Sequence, residues 1–273
     1  MNAFRQLADA WYTPERIAAE RDAKEVQAHM ILAARLLPPG ASEIAELGCG
    51  TGTFGRLMRL VGGKSVTGYE WQPDAAAAAR RHYEEVVVLD VEQETPNLAP
   101  GSLDAIVAVD VLEYLADPFA TLARWATYLK ADGVIVGSIR NASNQQSVQK
   151  LLYKSSVAGI DGQSVTMAQH GYTMQDLGGQ LFANKLWFDG PAYGTRQPLE
   201  PSIEPLVEFM VSQGANRDRF TTEMATETYV FRLRSGQPSG QLEVQHIHTG
   251  STPWADALPE IVPRQTLVIS LSD

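Results

Sequence analysis

The sequence predicts an α/β domain in which mostly parallel strands alternate with helices, and three observations predict it. An apolar run at 43–47 is followed at once by three alternating glycines within 48–52, and apolar residues at helical spacing fill 54–61. A strand, a tight glycine loop and a helix in this order open a nucleotide-binding βαβ unit. A continuous apolar run at 86–89 is typical of a buried parallel strand. The 273 residues suffice for one large domain or a domain with an extension.

Composition and charge narrow the function classes. The formal net charge is −10, which argues against a general nucleic-acid or anionic-membrane binder, since such proteins need a basic footprint. Cys49 is the single cysteine, so no intramolecular disulfide is possible. The chain opens without a charged-then-apolar signal and contains no apolar run of transmembrane length. We therefore expect a cytoplasmic protein with neither a nucleic-acid nor a membrane partner.

The elements up to the fifth strand follow from local signals. Residues 1–37 are predicted to be helical because Thr13 and Pro14 form an N-cap pair, and the helical region ends at 38–40. The predicted strands and helices that follow are 43–47, 53–61, 65–70, 73–83, 86–89, 105–109, 118–129 and 134–139. Glu70 ends the second strand, where a carboxylate can accept hydrogen bonds from both hydroxyl groups of a ribose.

The second half of the chain is less regular. Residues 143–172 are polar and contain three glycines, and loops of this length are often functional lids or disordered. Beyond them we predict a capped helix at 174–183, a strand at 185–188, a loop at 190–202, a helix at 203–213 and an antiparallel strand at 228–233. Residues 235–273 contain two further strand patterns. We expect them to add to the sheet, pair with a partner chain or begin another domain.

Two interpretations compete for the glycine loop. Residues 50–55 fit the dinucleotide fingerprint G-x-G-x-x-G, with Glu70 near the ribose position. In the other frame Glu46 precedes the first glycine by two residues, and an acid there would repel the pyrophosphate of a dinucleotide. The sulfonium and ammonium groups of S-adenosylmethionine would instead be attracted. A P-loop at 58–65 is excluded because Met58 stands where its first glycine is required.

Several segments resemble one enzyme family. Glu46 through Gly52 resembles the first motif of class I S-adenosylmethionine-dependent methyltransferases, acid-x-Gly-x-Gly-x-Gly. Asp110 through Leu115 resembles the family's fourth motif, D-V-L-E-H-L, with Tyr114 in place of the histidine. Residues 129–133 resemble its L-K-P-G-G turn. The run from 43 to 141 matches the family in five places, in the right order and spacing.

The resemblance implies a fold, a cofactor and a set of binding residues. The implied fold is a Rossmann-like, seven-stranded, mostly parallel sheet of order 3-2-1-4-5-7-6 with helices on both faces, spanning 1–234 and followed by a C-terminal β extension at 235–273. The implied cofactor is S-adenosylmethionine, with 1–40 as a helical cover. The residues that would bind it are Tyr12, Glu46, Gly48, Cys49, Gly50, Gly52, Glu70, Trp71, Asp90, Val91, Asp110 and Val111.

The acceptor is less constrained. Residues 140–144 resemble a Ser-Ile-Pro-Asn segment of a bacterial subgroup related to methionine-biosynthesis and glycan-modifying methyltransferases, with Arg140 replacing the proline. That resemblance suggests a small-molecule or glycan acceptor and a monomer or homodimer. We expect the insert at 143–172 to form a wall of the acceptor site, with His170 and Tyr172 as candidate catalytic residues.

The chemistry leaves alternatives open. A base is needed only if the acceptor must lose a proton, and the chain's histidines are the candidates: His29, His82, His170, His246 and His248. No cluster has metal-ligand spacing and no G-x-S-x-G elbow occurs, so no metal is expected. The alternative functions are a non-catalytic, S-adenosylmethionine-binding module of a larger biosynthetic assembly and an NAD-dependent oxidoreductase.

Overall fold

The computed structural model describes residues 13–22, 26–61, 65–154, 171–236, 242–248 and 265–269. The helices are α1 (Pro14–Asp22), α2 (Ala28–Leu36), α3 (Thr53–Val61), α4 (Pro73–Ala79), α5 (Pro118–Trp125), α6 (Gln145–Lys154), α7 (Met174–Ala183), α8 (Glu204–Ser212) and α9 (Arg217–Ala225). The strands are β1 (Ile44–Leu47), β2 (Val66–Glu70), β3 (Glu85–Val88), β4 (Leu103–Ala108), β5 (Leu129–Arg140), β6 (Leu186–Phe188), β7 (Ala192–Arg196), β8 (Thr226–Ser235), β9 (Leu242–His248) and β10 (Gln265–Ile269).

All of these strands belong to one sheet. Its order is β10-β9-β7-β8-β5-β4-β1-β2-β3, and β6 also pairs with β8. Strands β1 to β5 are parallel, whereas β8 runs antiparallel to β5. The predicted order 3-2-1-4-5-7-6 is confirmed, because β8 stands in the seventh position and β6 and β7 together stand in the sixth.

The sixth position differs from the expectation in detail. The predicted loop at 190–202 is wrong in part, since Ala192–Arg196 is a strand. Both β6 and β7 pair antiparallel with β8, which at ten residues is long enough to take two short partners. Gly190 lies between them with φ +97°, a conformation that breaks the strand and that glycine adopts without steric cost.

The secondary structure at both ends of the chain adds detail to the prediction. The N-terminal helical region forms α1 and α2 rather than one helix. At the other end β9 pairs parallel with β7, and β10 pairs antiparallel with β9, so the extension adds to the sheet.

Helix α9 was not predicted. Its N-cap Asn216 accepts a hydrogen bond from the Arg219 backbone N–H, a polar start inside a segment of weak apolar periodicity.

Helices pack on both faces of the sheet. One core contains buried residues of α2, α3 and α4, and the other contains buried residues of α5 and α7. Successive residues of β1 alternate between them, with Ile44 in the first core and Ala45 and Leu47 in the second. The same alternation directs Glu46 toward the face that carries α3. A smaller cluster joins α6, α8 and α9 around the buried Val207.

Helix α1 lies near the carboxyl ends of the parallel strands. It contacts α4, which follows β2, and the guanidinium of Arg16 interacts electrostatically with Tyr114, which follows β4. These neighbours come from two different parts of the sheet edge. The helical cover predicted for 1–40 stays a prediction, with α1 as its described part.

Candidate functional site

The glycine loop after β1 has a backbone that other residues would not adopt easily. Gly48, Gly50 and Gly52 have φ of +67°, +52° and +99°. A Cβ at Gly48 would lie 2.4 Å from Cγ2 of Val111, so the loop also needs the missing side chain for space. The sequence places glycine where the φ is positive, and the loop presents bare backbone at the carboxyl end of β1.

Glu70 fastens this loop to the end of β2. Its Oε2 accepts a hydrogen bond from the Gly50 N–H at 2.9 Å, and its Oε1 accepts one from the Gln72 N–H at 3.0 Å. Glu70 is only 3% exposed. Each of these bonds is made by one carboxylate oxygen to one backbone N–H, so Glu70 joins the glycine loop to the turn after β2.

Glu46 is buried behind the loop and has a partner that the sequence did not indicate. The Tyr83 hydroxyl donates to Glu46 Oε2 at 2.7 Å and accepts from the Gly55 N–H at 3.0 Å. Burial raises the pKa of Glu46 to about 8, although the bond from Tyr83 opposes that shift. At neutral pH the carboxyl group therefore largely keeps its proton. Direct contact between Glu46 and a cofactor stays a prediction.

The Cys49 side chain points away from the loop surface. A Cβ built on Gly68 of β2 would lie 2.7 Å from its sulfur, so the thiol packs against the glycine backbone of that strand. Burial raises the pKa of the Cys49 thiol far above its ordinary value. A thiol that stays protonated is a poor nucleophile, and Cys49 fills space in the core. Its predicted cofactor contact is untested.

The residues that follow β2 and β3 lie along the same edge of the sheet. They are Trp71 and Asp90, and both are half-buried. Asp90 Oδ1 accepts a hydrogen bond from the Glu92 N–H at 2.9 Å, which shapes the turn. The Val91 carbonyl accepts a bond from Trp125 Nε1 at 3.0 Å, which fixes that turn to α5.

Asp110 follows β4 and forms a pair with His29, one of the five candidate bases, although the sequence did not predict the pairing. Its Oδ2 lies 2.7 Å from Nε2 of His29, in the first turn of α2. Its backbone has φ +54°, and its N–H donates to the Ser138 hydroxyl at 3.0 Å. Burial acts to raise the pKa of Asp110, but the bond and charge of His29 outweigh it and lower that pKa. No local pattern links two residues 81 positions apart.

A second buried acid lies beside this pair. Glu113 is 2% exposed, and its Oε1 accepts a hydrogen bond from the Arg140 N–H at 2.6 Å. Among the described residues none is bonded to its Oε2. Burial raises the pKa of Glu113, and the nearby Asp110 acts in the same direction. The group is thus a carboxyl with spare hydrogen-bonding capacity at the ends of β4 and β5.

Tyr172 stands at the carboxyl end of β5. Its carbonyl accepts a hydrogen bond from the Ala142 N–H at 2.9 Å, and its ring meets Phe119 edge-on, with centroids 5.2 Å apart. The other catalytic candidate, His170, and the predicted cover residue Tyr12 lie outside the described residues.

The described candidate residues come together at one edge of the sheet, with Glu46 and Cys49 behind it. A bare backbone loop flanked by Glu70, Asp90 and Asp110 fits a ligand with ribose hydroxyl groups and positive charge, which S-adenosylmethionine has.

In the described part of the chain, no three His, Cys, Asp or Glu residues are grouped to hold a metal ion. No helix in that part is both long enough and apolar enough to cross a membrane.

Comparison with known proteins shows sequence similarity to methyltransferases. Residues 45–135 match a family described as a methyltransferase domain. A ubiquinone biosynthesis O-methyltransferase of Xanthomonas campestris pv. campestris (strain B100) is 31% identical over 146 residues, which cover 52% of this chain and 60% of the relative. The chain therefore spans about three fifths of that relative's length.

Solved structures share the fold at low sequence identity. A Haemonchus contortus phosphoethanolamine N-methyltransferase, in complex with phosphomonomethylethanolamine and S-adenosylhomocysteine, has a TM-score of 0.59 and 16% identity over 87% of this chain and 61% of that one. A Haloferax volcanii methyltransferase in complex with the Trm112 activator has a TM-score of 0.58 and 17% identity over 87% and 100%. The predicted fold and the predicted cofactor class are confirmed, whereas the bacterial subgroup stays a prediction.

Proposed function

We propose that this chain, whose residues 45–135 match a family described as a methyltransferase domain, is a class I S-adenosylmethionine-dependent methyltransferase that transfers a methyl group to a hydroxyl group of a small molecule. The observation that carries the proposal is the carboxyl edge of β1, β2 and β4. There a glycine loop with three positive φ values meets the buried Glu70 and the pair of His29 and Asp110. The relatives that match are named as O-methyltransferases, and their activity is proposed for this chain from partial coverage.

The cofactor would lie along this edge in a defined direction. Glu70 would accept hydrogen bonds from the ribose, and Asp90 would lie near the adenine amino group. That order puts the methionine end toward the glycine loop and Asp110, whose negative charge suits a cation. Bound S-adenosylmethionine supplies a methyl group that its sulfonium already activates. The protein's part is to align the acceptor and exclude water.

The acceptor would bind beyond β4, on the side of β5. Tyr172 and α6, which lie in the described parts of the insert, support the proposal that residues 143–172 form one wall of this space. Tyr172 would contribute a phenol hydroxyl, and His170 remains a candidate polar group of the same wall. A hydroxyl group of a glycan has the same chemistry as that of a small alcohol. Experiment must therefore distinguish a small-molecule acceptor from a glycan acceptor.

Calorimetry and methyl transfer together test the proposal. We expect S-adenosylhomocysteine to bind and NAD not to bind, because the ionised Asp110 beside the loop would repel a pyrophosphate and attract an ammonium group. We further expect radiolabelled methyl to pass from S-adenosylmethionine to hydroxyl compounds in a panel of phenols, sugars, amines and thiols.

Three other outcomes would contradict parts of the proposal. Binding of NAD without S-adenosylhomocysteine would favour an oxidoreductase. Binding of S-adenosylhomocysteine without transfer to any member of the panel would favour a non-catalytic module. Transfer to amines alone would leave a methyltransferase but remove the hydroxyl class.

A further inference from the structure

His29 is held at the acceptor side of the candidate site by the tertiary fold. It lies in the first turn of α2, and α2 packs against β5, β8 and α3. Its side chain is 8% exposed, and its Nε2 is 2.7 Å from Asp110 Oδ2. A buried imidazole at this distance from a carboxylate has a fixed ring orientation, as a base requires before it can act.

The bond also fixes which nitrogen carries the proton in the neutral imidazole. The ionised carboxylate of Asp110 can only accept hydrogen bonds, so Nε2 of His29 must be the donor. In a neutral imidazole the other nitrogen, Nδ1, then has a free lone pair. Within the described part of the chain, no residue is hydrogen-bonded to Nδ1. His29 therefore has one nitrogen oriented by Asp110 and one without a hydrogen bond to any described residue.

The pair lies where the methylated atom would have to approach. With the ribose at the end of β2 and the adenine beyond β3, the methyl group would point toward β4 and β5. The titratable and charged groups that face the pair come from three strands and the turn after β4. They are Glu46 of β1, Arg140 of β5, Glu227 of β8, and Glu113 and Tyr114 of the turn.

We propose that His29, oriented by Asp110, is the base that removes the proton of the acceptor's hydroxyl group. The inference rests on the proposed methyl transfer and adds the residue that makes a hydroxyl reactive. The acceptor O–H bond breaks and its proton goes to Nδ1 of His29. The oxygen's electron pair forms the new O–C bond while the S–C bond breaks and leaves its pair on sulfur as a neutral thioether. The imidazolium then returns its proton to solvent.

The test compares His29→Gln with Arg35→Gln, an exposed position in the last turn of the same helix. Glutamine at 29 can still donate to Asp110 but cannot take a proton. We expect His29→Gln to lower kcat by about 100-fold or more, the usual contribution of a general base. Binding of S-adenosylhomocysteine should be unchanged. The loss should be smaller for 4-nitrophenol than for phenol, since the more acidic hydroxyl needs less help.

Two further measurements separate a base from a purely structural histidine. The wild-type kcat/KM should fall toward low pH as the base becomes protonated, and this acidic limb should be absent in His29→Gln. Nitrogen-15 NMR of the complex with S-adenosylhomocysteine should show His29 in the Nε2–H tautomer.

Several results would overturn the assignment. They are an unchanged pH profile in His29→Gln, equal losses for the two phenols, the Nδ1–H tautomer, or a His170→Gln variant that alone reproduces the loss. A wild-type protein that binds S-adenosylhomocysteine but methylates only amines or thiols would remove the hydroxyl base while leaving methyl transfer intact. Failure to transfer to any acceptor would instead remove the proposed function itself.

Discussion

Glu70 accepts hydrogen bonds from two backbone N–H groups, of Gly50 and Gln72, so removing its carboxylate affects the loop as well as any ligand. We expect Glu70→Ala to weaken binding of S-adenosylhomocysteine by about 1.5–3 kcal/mol for each charged hydrogen bond lost. Stability should fall too, because both N–H groups lose a buried partner. Calorimetry and urea unfolding measure the two effects.

Glu43→Ala is the matched control for Glu70. Glu43 is exposed and precedes β1, at the opposite edge of the sheet, so both affinity and stability should stay near the wild-type values. An unchanged affinity in Glu70→Ala, together with lower stability, would limit Glu70 to holding the loop and would contradict the ribose contact.

Glu46 gives a stability prediction that depends on pH. Its pKa is about 8 in the fold against an ordinary value of 4.5, so the protonated form is favoured by folding. That contribution is complete below about pH 4.5, declines as pH rises, and is lost above about pH 8. Glutamine can accept the Tyr83 bond without an ionisable proton. We therefore expect Glu46→Gln to gain stability relative to wild type as pH rises, by on the order of a few kcal/mol at most.

Urea unfolding below pH 5 and above pH 8 measures this gain in the free energy of unfolding. Glu43→Gln, at an exposed position, is the control and is measured at the same two pH values. A constant difference between Glu46→Gln and wild type at both pH values would contradict a buried, protonated Glu46. It would also imply that the carboxylate is ionised beside the loop, as the sequence-based argument for a cation supposed.

At the scale of elements, the loop after β1 depends on Gly48 for two reasons. Its φ of +67° is unfavourable for other residues, and a Cβ there would clash with Val111. We expect Gly48→Ala to cost about 2–4 kcal/mol of stability, from the left-handed backbone and the overpacking together. Binding of S-adenosylhomocysteine should be lost, as measured by calorimetry on the folded fraction.

Gly179→Ala is the control for this substitution. Gly179 lies inside α7, and a Cβ there would meet no atom within 4 Å. Alanine should stabilise the helix by about 0.5–1 kcal/mol and leave binding unchanged. Equal tolerance of alanine at both glycines would contradict the geometry of the loop.

At the scale of the whole molecule, the extension lies far from the candidate site in the sheet. Strands β9 and β10 are separated from β1 by β7, β8, β5 and β4. We expect a chain ending at residue 236 to bind S-adenosylhomocysteine with wild-type affinity but to unfold at lower temperature, because the edge of β7 loses its partner. Loss of binding in a truncated chain that remains folded would show that residues 237–273 contribute to the site.

Local sequence signals predicted the elements that depend on local chemistry. The helix at 174–183 was predicted from Thr173 and Asp176, and these residues form the capping box that starts α7. The glycine loop was predicted because positive φ selects glycine. By contrast, β7 and α9 were missed. β7 is stabilised by pairing with β8 and β9, and α9 by packing against α8, and neither interaction is visible in a short window of sequence.

The sequence by itself determined the glycine loop and the acids at the strand ends, because these depend on neighbouring residues. The strand order and the cofactor class were predicted from the resemblance of the motifs within 43–141 to class I methyltransferases. Only the tertiary structure decided which side chains meet. Tyr83 reaches Glu46 across 37 positions, and His29 reaches Asp110 across 81. Such contacts depend on how the helices pack against the sheet. The pattern of apolar residues in one sequence does not specify which polar side chains then come within 3 Å of each other.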